Sequence, residues 1–261
     1  MKAEVGGIEL YYNLQGPEQA PVVLMSHSLM CSNAMWDAQM NALADYRVLR
    51  VDTRGHGSSD APEGPYSLEA LAEDFIGVLD HLGFEKVHYV GLSMGGMIGQ
   101  VLGVEHSTRL LSLTLCDTMC EIPGAAGSMW QDRIALAETE GMGAHVDGTI
   151  ERWFSESFCE KRPDLVDPIR ELIRTTPVAG FTGCCLAISK LQMTAKLPEI
   201  KTPTLVIVGK DDPGTPVSAA EQMQHNIPGA KLVVIDDALH LSNIEQPEVF
   251  NSALKDFLSQ N

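Results

Sequence analysis

Lys86-Val87-His88-Tyr89-Val90-Gly91-Leu92-Ser93-Met94-Gly95-Gly96 is the stretch on which the fold turns. Lys86 to Val90 reads as a strand. It runs without a linker into Gly91-x-Ser93-x-Gly95, after which apolar residues resume at helical spacing to about His106. A side chain held on so sharp a strand-to-helix turn needs glycine on both flanks, because a larger residue would clash with the neighbouring strand and helix. Gly and Ser are common, so the pattern alone says little. The strand before it and the helix after it turn a tight structural loop, the competing reading, into a predicted nucleophile elbow at Ser93.

Outward from the elbow, strand and helix alternate. Upstream, Ile8 to Leu14 and the short apolar run Pro21 to Met25 read as strands. Asn33 to Ala44 reads as a helix, with Met35, Trp36, Met40 and Leu43 as apolar positions. Tyr46 to Val51 is a strand ending in the Gly- and Ser-dense turn Asp52 to Ser59. Ser67 is placed to cap a helix with Glu69 in its first turn, Leu68, Leu71, Phe75, Val78, Leu79 and Leu82 at helical spacing, and Gly83 at its end. Downstream, Leu110 to Leu115 is a strand. From 117 to 196 strands vanish, and helix-like stretches are broken at Gly141, Pro163, Pro168 and Pro177. Alternation returns with Thr204 to Val208, a helix from about Val217, Leu232 to Ile235, and a helix ending near Leu258. The pattern predicts an α/β protein: a mostly parallel central sheet flanked by helices, built from 1–116 and 197–261, with 117–196 inserted as a helical cap.

A chain of 261 residues suits one such domain and buries a large core without staples. Its 18 Lys and Arg against 35 Asp and Glu give a net charge of −17. That surface repels nucleic acid and anionic membranes, which argues against either as a partner, and it gives no long-range help to an anionic ligand. Any anion site must be made locally; otherwise the acidity serves solubility alone. The six cysteines form no C-x-x-C pair and stand near no His cluster at zinc spacing, so we expect reduced thiols, no metal and no cofactor. With no apolar signal core in Met1 to Gly7 and no run longer than a strand, a cytoplasmic protein is expected. The sequence is compatible with a homo-oligomer.

A serine hydroxyl is a weak nucleophile at neutral pH and needs a base, which in turn needs an orienting acid. Behind an elbow of this kind the partners follow in the order Ser, Asp or Glu, His. Asp212 follows the strand Leu205–Val208, and His240 follows Leu232–Ile235. Both fall in loops at the carboxyl ends of strands, where α/β sheets build their sites. Asp211 competes with Asp212. His225 competes with His240 but lies in a helix-like stretch, while His81, His88, His106 and His145 lack strand-end placement. The oxyanion of an acyl-transfer intermediate needs two donors. Met94 supplies one backbone N–H as the residue after the nucleophile, and Leu29, in Ser26-His27-Ser28-Leu29-Met30, supplies the other. His27 reads as stabilising its turn.

The elbow, Asp52-x-Arg-Gly-His-Gly-x-Ser59, Gly209-x-x-Asp-x-x-Thr-Pro216 and the late His240 together resemble the α/β-hydrolase superfamily. Finer features are similar to 3-oxoadipate enol-lactonases: Gly91-Leu-Ser-Met-Gly-Gly-Met97, Trp130-Gln-Asp-Arg133, Arg152-Trp-Phe154, Cys184-Cys-x-Ala-Ile188 and His240-Leu-Ser-Asn-Ile-Glu-Gln-Pro247. The resemblance covers nearly the whole chain. It implies Ser93 as nucleophile, Asp212 as acid, His240 as base, Leu29 and Met94 as oxyanion donors, and a small ester or lactone as substrate. That lactone carries a carboxylate, for which Arg133 is the candidate partner, with Trp130 and Trp153 as apolar wall. A surface ion pair for Arg133 and plain packing for the tryptophans are the competing readings. The chain departs from the usual His-Gly-x-Gly at His27-Ser28-Leu29-Met30, where both glycines are replaced. A general carboxylesterase, a cofactor-free haloperoxidase or perhydrolase, and a ligand receptor on a hydrolase scaffold stay open. Haloalkane dehalogenation is disfavoured, because it wants a carboxylate where Ser93 stands.

Overall fold

The computed structural model describes residues 1–122, 124 and 127–261. Eight strands form one sheet: β1 (Lys2–Val5), β2 (Ile8–Gln15), β3 (Val22–Ser26), β4 (Arg47–Val51), β5 (Val87–Leu92), β6 (Leu110–Cys116), β7 (Thr204–Gly209) and β8 (Lys231–Ile235). Their order is β1-β2-β4-β3-β5-β6-β7-β8. From β4 to β8 every pairing is parallel, while β1 and β2 run antiparallel at one edge. The sequence reading lacked β1. Its hairpin turns on Gly6 and Gly7, both at positive φ, the conformation that a tight two-residue hairpin turn demands. Every residue of β3, β5 and β7 is buried, as expected for parallel strands covered by helices on both faces.

Two helices of the core pack beside these strands, α1 (Leu68–Leu82) and α2 (Met94–Glu105). The Ser67 hydroxyl accepts from the Ala70 N–H at 3.1 Å, and Gly83 closes α1 in the left-handed conformation, both as their residue types require. Between β6 and β7 lie α3 (Gly127–Glu140), α4 (Val146–Trp153), α5 (Glu156–Lys161), α6 (Pro163–Thr175) and α7 (Val178–Ile188). Among the described residues this stretch holds no strand, only a bridge between Glu121 and Gln192. Positions 123, 125 and 126 of the predicted cap lie outside the described residues. The chain ends with α8 (Val217–Asn226), α9 (Ser242–Glu245) and α10 (Pro247–Leu258).

Two local expectations are corrected. Asn33 to Ala44 is not an α-helix: a 3₁₀ helix runs over Asn33–Gln39 and gives way to turns. Its tertiary bonds override propensity. Asp37 pairs with Arg50 at 2.5 Å, and the Gln39 amide donates to the Asn243 carbonyl at 2.9 Å. Pro168 does not break a helix either, but sits inside α6. It is exposed there, so water can satisfy the carbonyl that loses its partner.

Candidate active site

The elbow is strained in the way its glycines allow. Ser93 sits at φ 56°, ψ −113°, on the step from β5 into α2. A Cβ on Gly91 would lie 2.2 Å from the Gly95 carbonyl oxygen, and one on Gly95 would lie 2.4 Å from the Ser26 carbonyl oxygen of β3. Neither backbone can retreat, so only glycine fits at the two flanks. Held in this way, Ser93 faces a cavity of about 260 Å³. Leu29, Met30, Trp130, Arg133, Trp153, Asp212 and His240 share its wall. Six segments distant in sequence therefore converge at the carboxyl edge of the sheet.

Asp212 and His240 meet there. His240 Nδ1 lies 2.7 Å from Asp212 Oδ2. An ionised carboxylate only accepts, so Nδ1 carries the proton and Nε2 is left as the acceptor. Asp212 is itself held by the Gly214 N–H at 2.8 Å, the Thr215 N–H at 3.0 Å and the Thr215 hydroxyl. Burial opposes its charge, but His240 and the Thr215 donors outweigh burial and hold the carboxyl below its ordinary value. Burial likewise opposes a charged His240, and the facing Asp212 more than offsets it, so the imidazole is raised above 6.5. Asp211 and His225, the rivals in sequence, are both exposed, and among the described residues neither makes such a contact. Among the described residues no hydrogen bond joins Ser93 to His240; the two share the cavity wall.

Of the predicted oxyanion donors, Leu29 lines the cavity, and Met94 is buried at the first turn of α2. Neither backbone N–H reaches a protein acceptor among the described residues. The first N–H groups of a helix have no intrahelical partner, and buried donors are paired in the great majority of cases, so both groups are available to an acceptor from outside the protein. Met30 takes φ 63°, a conformation that favours glycine, so the loop keeps a glycine-like path at this position despite its side chain. His27 does stabilise its turn. Its Nε2 accepts from the Thr53 N–H at 2.9 Å, which leaves Nδ1 to donate to the Ser28 carbonyl at 2.7 Å.

The predicted wall residues also gather here. Arg133 lies 4.8 Å from the Trp130 ring and 5.6 Å from that of Phe181. Its Nε is buried and unpartnered, and it forms no ion pair among the described residues. Burial, with Arg152 adding repulsion, pushes its guanidinium below the ordinary value. Trp153 stacks on the His240 ring with centroids 5.9 Å apart. The six cysteines are free, five of them buried.

Sequence reasoning missed four residues of this neighbourhood. Thr215 grips the acid. Arg152 lines the cavity beside Arg133. Asp117, at the end of β6 with φ 42°, is fully buried and bonds the Gly209 N–H at 2.8 Å and the Ser242 hydroxyl at 2.6 Å. Glu245 accepts from the Leu239 N–H at 2.8 Å and the Ser155 N–H at 2.9 Å, tying the loop of His240 to the insert. Thr215 stands in the Gly209-x-x-Asp-x-x-Thr-Pro spacing, and Arg152 and Glu245 stand in the stretches that carry the resemblance, but no local pattern gives their contacts; Asp117 stands in no motif at all.

Residues 21–247 match the model of the alpha/beta hydrolase fold family. The chain is 39% identical over 253 residues to 3-oxoadipate enol-lactonase 1 of Acinetobacter baylyi, covering 97% of this chain and 94% of that one. Among solved structures it resembles the enol-lactonase from Burkholderia xenovorans LB400, with a TM-score of 0.96, 37% identity, and 99% and 100% of the two chains covered. It also resembles a thermophilic esterase from Thermogutta terrifontis, solved with malate bound, at a TM-score of 0.93, 33% identity, and 100% and 98% coverage. The sheet order, the elbow at Ser93 and these likenesses agree: the chain belongs to the α/β-hydrolase fold family.

Proposed function

We propose that the protein is a serine hydrolase that opens a carboxylate-bearing enol lactone, 3-oxoadipate enol-lactone in the first instance. The observation that carries the reading is the pair of free backbone N–H groups of Leu29 and Met94 beside Ser93, with the Asp212–His240 pair on the same cavity.

In the proposed reaction His240 Nε2 takes the Ser93 hydroxyl proton as Oγ attacks the lactone carbonyl. The Leu29 and Met94 N–H groups receive the oxyanion, and Asp212 stabilises the imidazolium. Collapse breaks the ring C–O bond. The enol oxygen takes the proton from His240, and the enol becomes a ketone, a poor nucleophile for the reverse step. Water, deprotonated by His240, then adds to the acyl carbonyl; the bond to Ser93 Oγ breaks, the acid leaves, and the His240 imidazolium returns its proton to Oγ. Arg133 holds the substrate carboxylate against the Trp130 face; a half-buried cation with no protein counter-ion among the described residues supports that role. The related Thermogutta esterase was solved with malate, itself a dicarboxylate, bound. That esterase also favours a second reading, hydrolysis of open-chain esters by the same residues.

The test is a direct assay of ring opening on the enol lactone beside a panel of short-chain esters. Ser93→Ala abolishes both activities under the proposal. Ester turnover without lactone turnover selects the second reading. Full activity in Ser93→Ala overturns both.

A further inference from the structure

Arg133 and Arg152 form a partition between two cavities. One of their sides faces the catalytic cavity. The other faces a second cavity of about 470 Å³ in the insert, bounded further by Asp132, Ala144, His145 and Gly148. Arg152 donates to the Thr149 hydroxyl at 3.2 Å. Among the described residues, no carboxylate oxygen comes within 4.0 Å of either guanidinium, although Asp132 borders the same cavity. In a chain with 35 acidic residues against 18 basic ones, counter-ions are in excess, so two neighbouring arginines left without one are available to a ligand.

Gly148 makes the second observation. It lies inside α4, where glycine weakens a helix relative to alanine. Crowding does not require it: within 4 Å an added Cβ would meet only Arg152 Nη1, at 3.5 Å. Its φ is not in the left-handed range, so the backbone does not require glycine either. What glycine achieves is to leave the outer side of the Arg152 guanidinium uncovered.

We propose that this outer cavity is a second carboxylate site, centred on Arg152 over Gly148, where an anionic ester docks before its carboxylate passes to Arg133. The proposal rests on the reading of the inner cavity given above. It explains how a molecule of net charge −17 admits an anion: the long-range field opposes approach, and a local pair of cations, reachable from outside, offsets it.

The test compares mono-(4-nitrophenyl) glutarate with the uncharged ester 4-nitrophenyl valerate in the wild type, Gly148→Leu, Arg152→Gln and Arg133→Gln. Gly148→Leu lays a side chain over the outer side of the Arg152 guanidinium and adds a better helix former, so the fold is kept. The expected result is a fall of about tenfold in the ratio of kcat/KM for the anionic over the neutral ester in both Gly148→Leu and Arg152→Gln, carried by KM, with a shallower dependence of that ratio on ionic strength. A wild-type ratio in Gly148→Leu and Arg152→Gln, with the ratio lost in Arg133→Gln, overturns the outer site and leaves the inner reading standing. A wild type that hydrolyses neither ester overturns both.

Discussion

The Ser242 hydroxyl lies 2.6 Å from the Asp117 carboxyl, which on its other oxygen accepts the Gly209 N–H at 2.8 Å. Ser242 stands two residues past His240, and Gly209 three before Asp212. One buried side chain thus spans the loops that carry both halves of the His–Asp pair. Burial, with the charge of Asp212 adding to it, pushes the Asp117 carboxyl up to about 8, so it keeps its proton at neutral pH. Asparagine reproduces that state: its oxygen accepts from Gly209, its amide donates to Ser242, and it tolerates φ 42°. Asp117→Asn should therefore keep kcat within about twofold of wild type below pH 8 and depart from it only above. Asp117→Ala loses both bonds and should lower kcat about tenfold or more with little change in KM, because the base and acid lose their register. A pH profile of kcat from 5 to 9 checks both variants.

His27 predicts the pH dependence of stability. Burial pushes its imidazole down to about 4 from 6.5. Protonating Nε2 would also break its bond to the Thr53 N–H. The folded value lies below the unfolded one, so the unfolded chain takes up the proton first. The stability this histidine contributes is complete above pH 6.5 and is lost as pH falls toward 4. Between pH 7 and pH 5 the loss comes to about 2 kcal/mol. His27→Gln should be less stable than wild type at pH 7 yet lose about 2 kcal/mol less over that interval, as read by urea unfolding at the two pH values.

The insert is seated on the core by a glycine pair. A Cβ on Gly180 of α7 would come 2.1 Å from the Gly55 carbonyl oxygen, and one on Gly55 would come 2.3 Å from Gly180 Cα. Backbone meets backbone, so no rotamer can relieve the clash. Gly180→Ala should cost about 2–3 kcal/mol and lower Tm by several degrees. Gly143→Ala, where an added Cβ meets nothing within 4 Å, is the control and should leave Tm nearly unchanged. Differential scanning calorimetry decides between them.

These contacts also mark where sequence reasoning stops. The elbow, the Ser67 and Gly83 caps and the strand–helix alternation were legible because each is a rule about neighbours in the chain: a φ value, a cap, a period. Asp212 and His240 were legible because fold order and strand ends place them. The helix expected over Asn33 to Ala44 was lost to Arg50 and Asn243, which no local pattern links to it. Pro168 looked like a breaker because sequence does not say which carbonyls reach water. Asp117 bonds Gly209 and Glu245 bonds Ser155, partners 92 and 90 residues away that no local pattern links to them. Arg152 stood within a stretch that carried the resemblance, but its place beside Arg133 on the cavity wall follows from the fold alone.

Arg133 carries the last prediction, because binding and stability should move in opposite directions there. Its Nε is buried with no acceptor, and its guanidinium lies between the Trp130 and Phe181 rings with no carboxylate in ion-pair range among the described residues. A half-buried cation whose Nε has lost its water without gaining an acceptor costs free energy that its contacts with two rings repay only in part. Methionine has a similar length, packs well against aromatic rings and carries no charge. Arg133→Met should therefore be more stable than wild type by about 1–2 kcal/mol. The same change removes the partner proposed for the substrate carboxylate, so KM for an anionic ester should rise at least tenfold while kcat changes less. Thermal unfolding and steady-state kinetics on one preparation measure both quantities. A less stable Arg133→Met with an unchanged KM would mean that the arginine serves packing, and the carboxylate would need another partner.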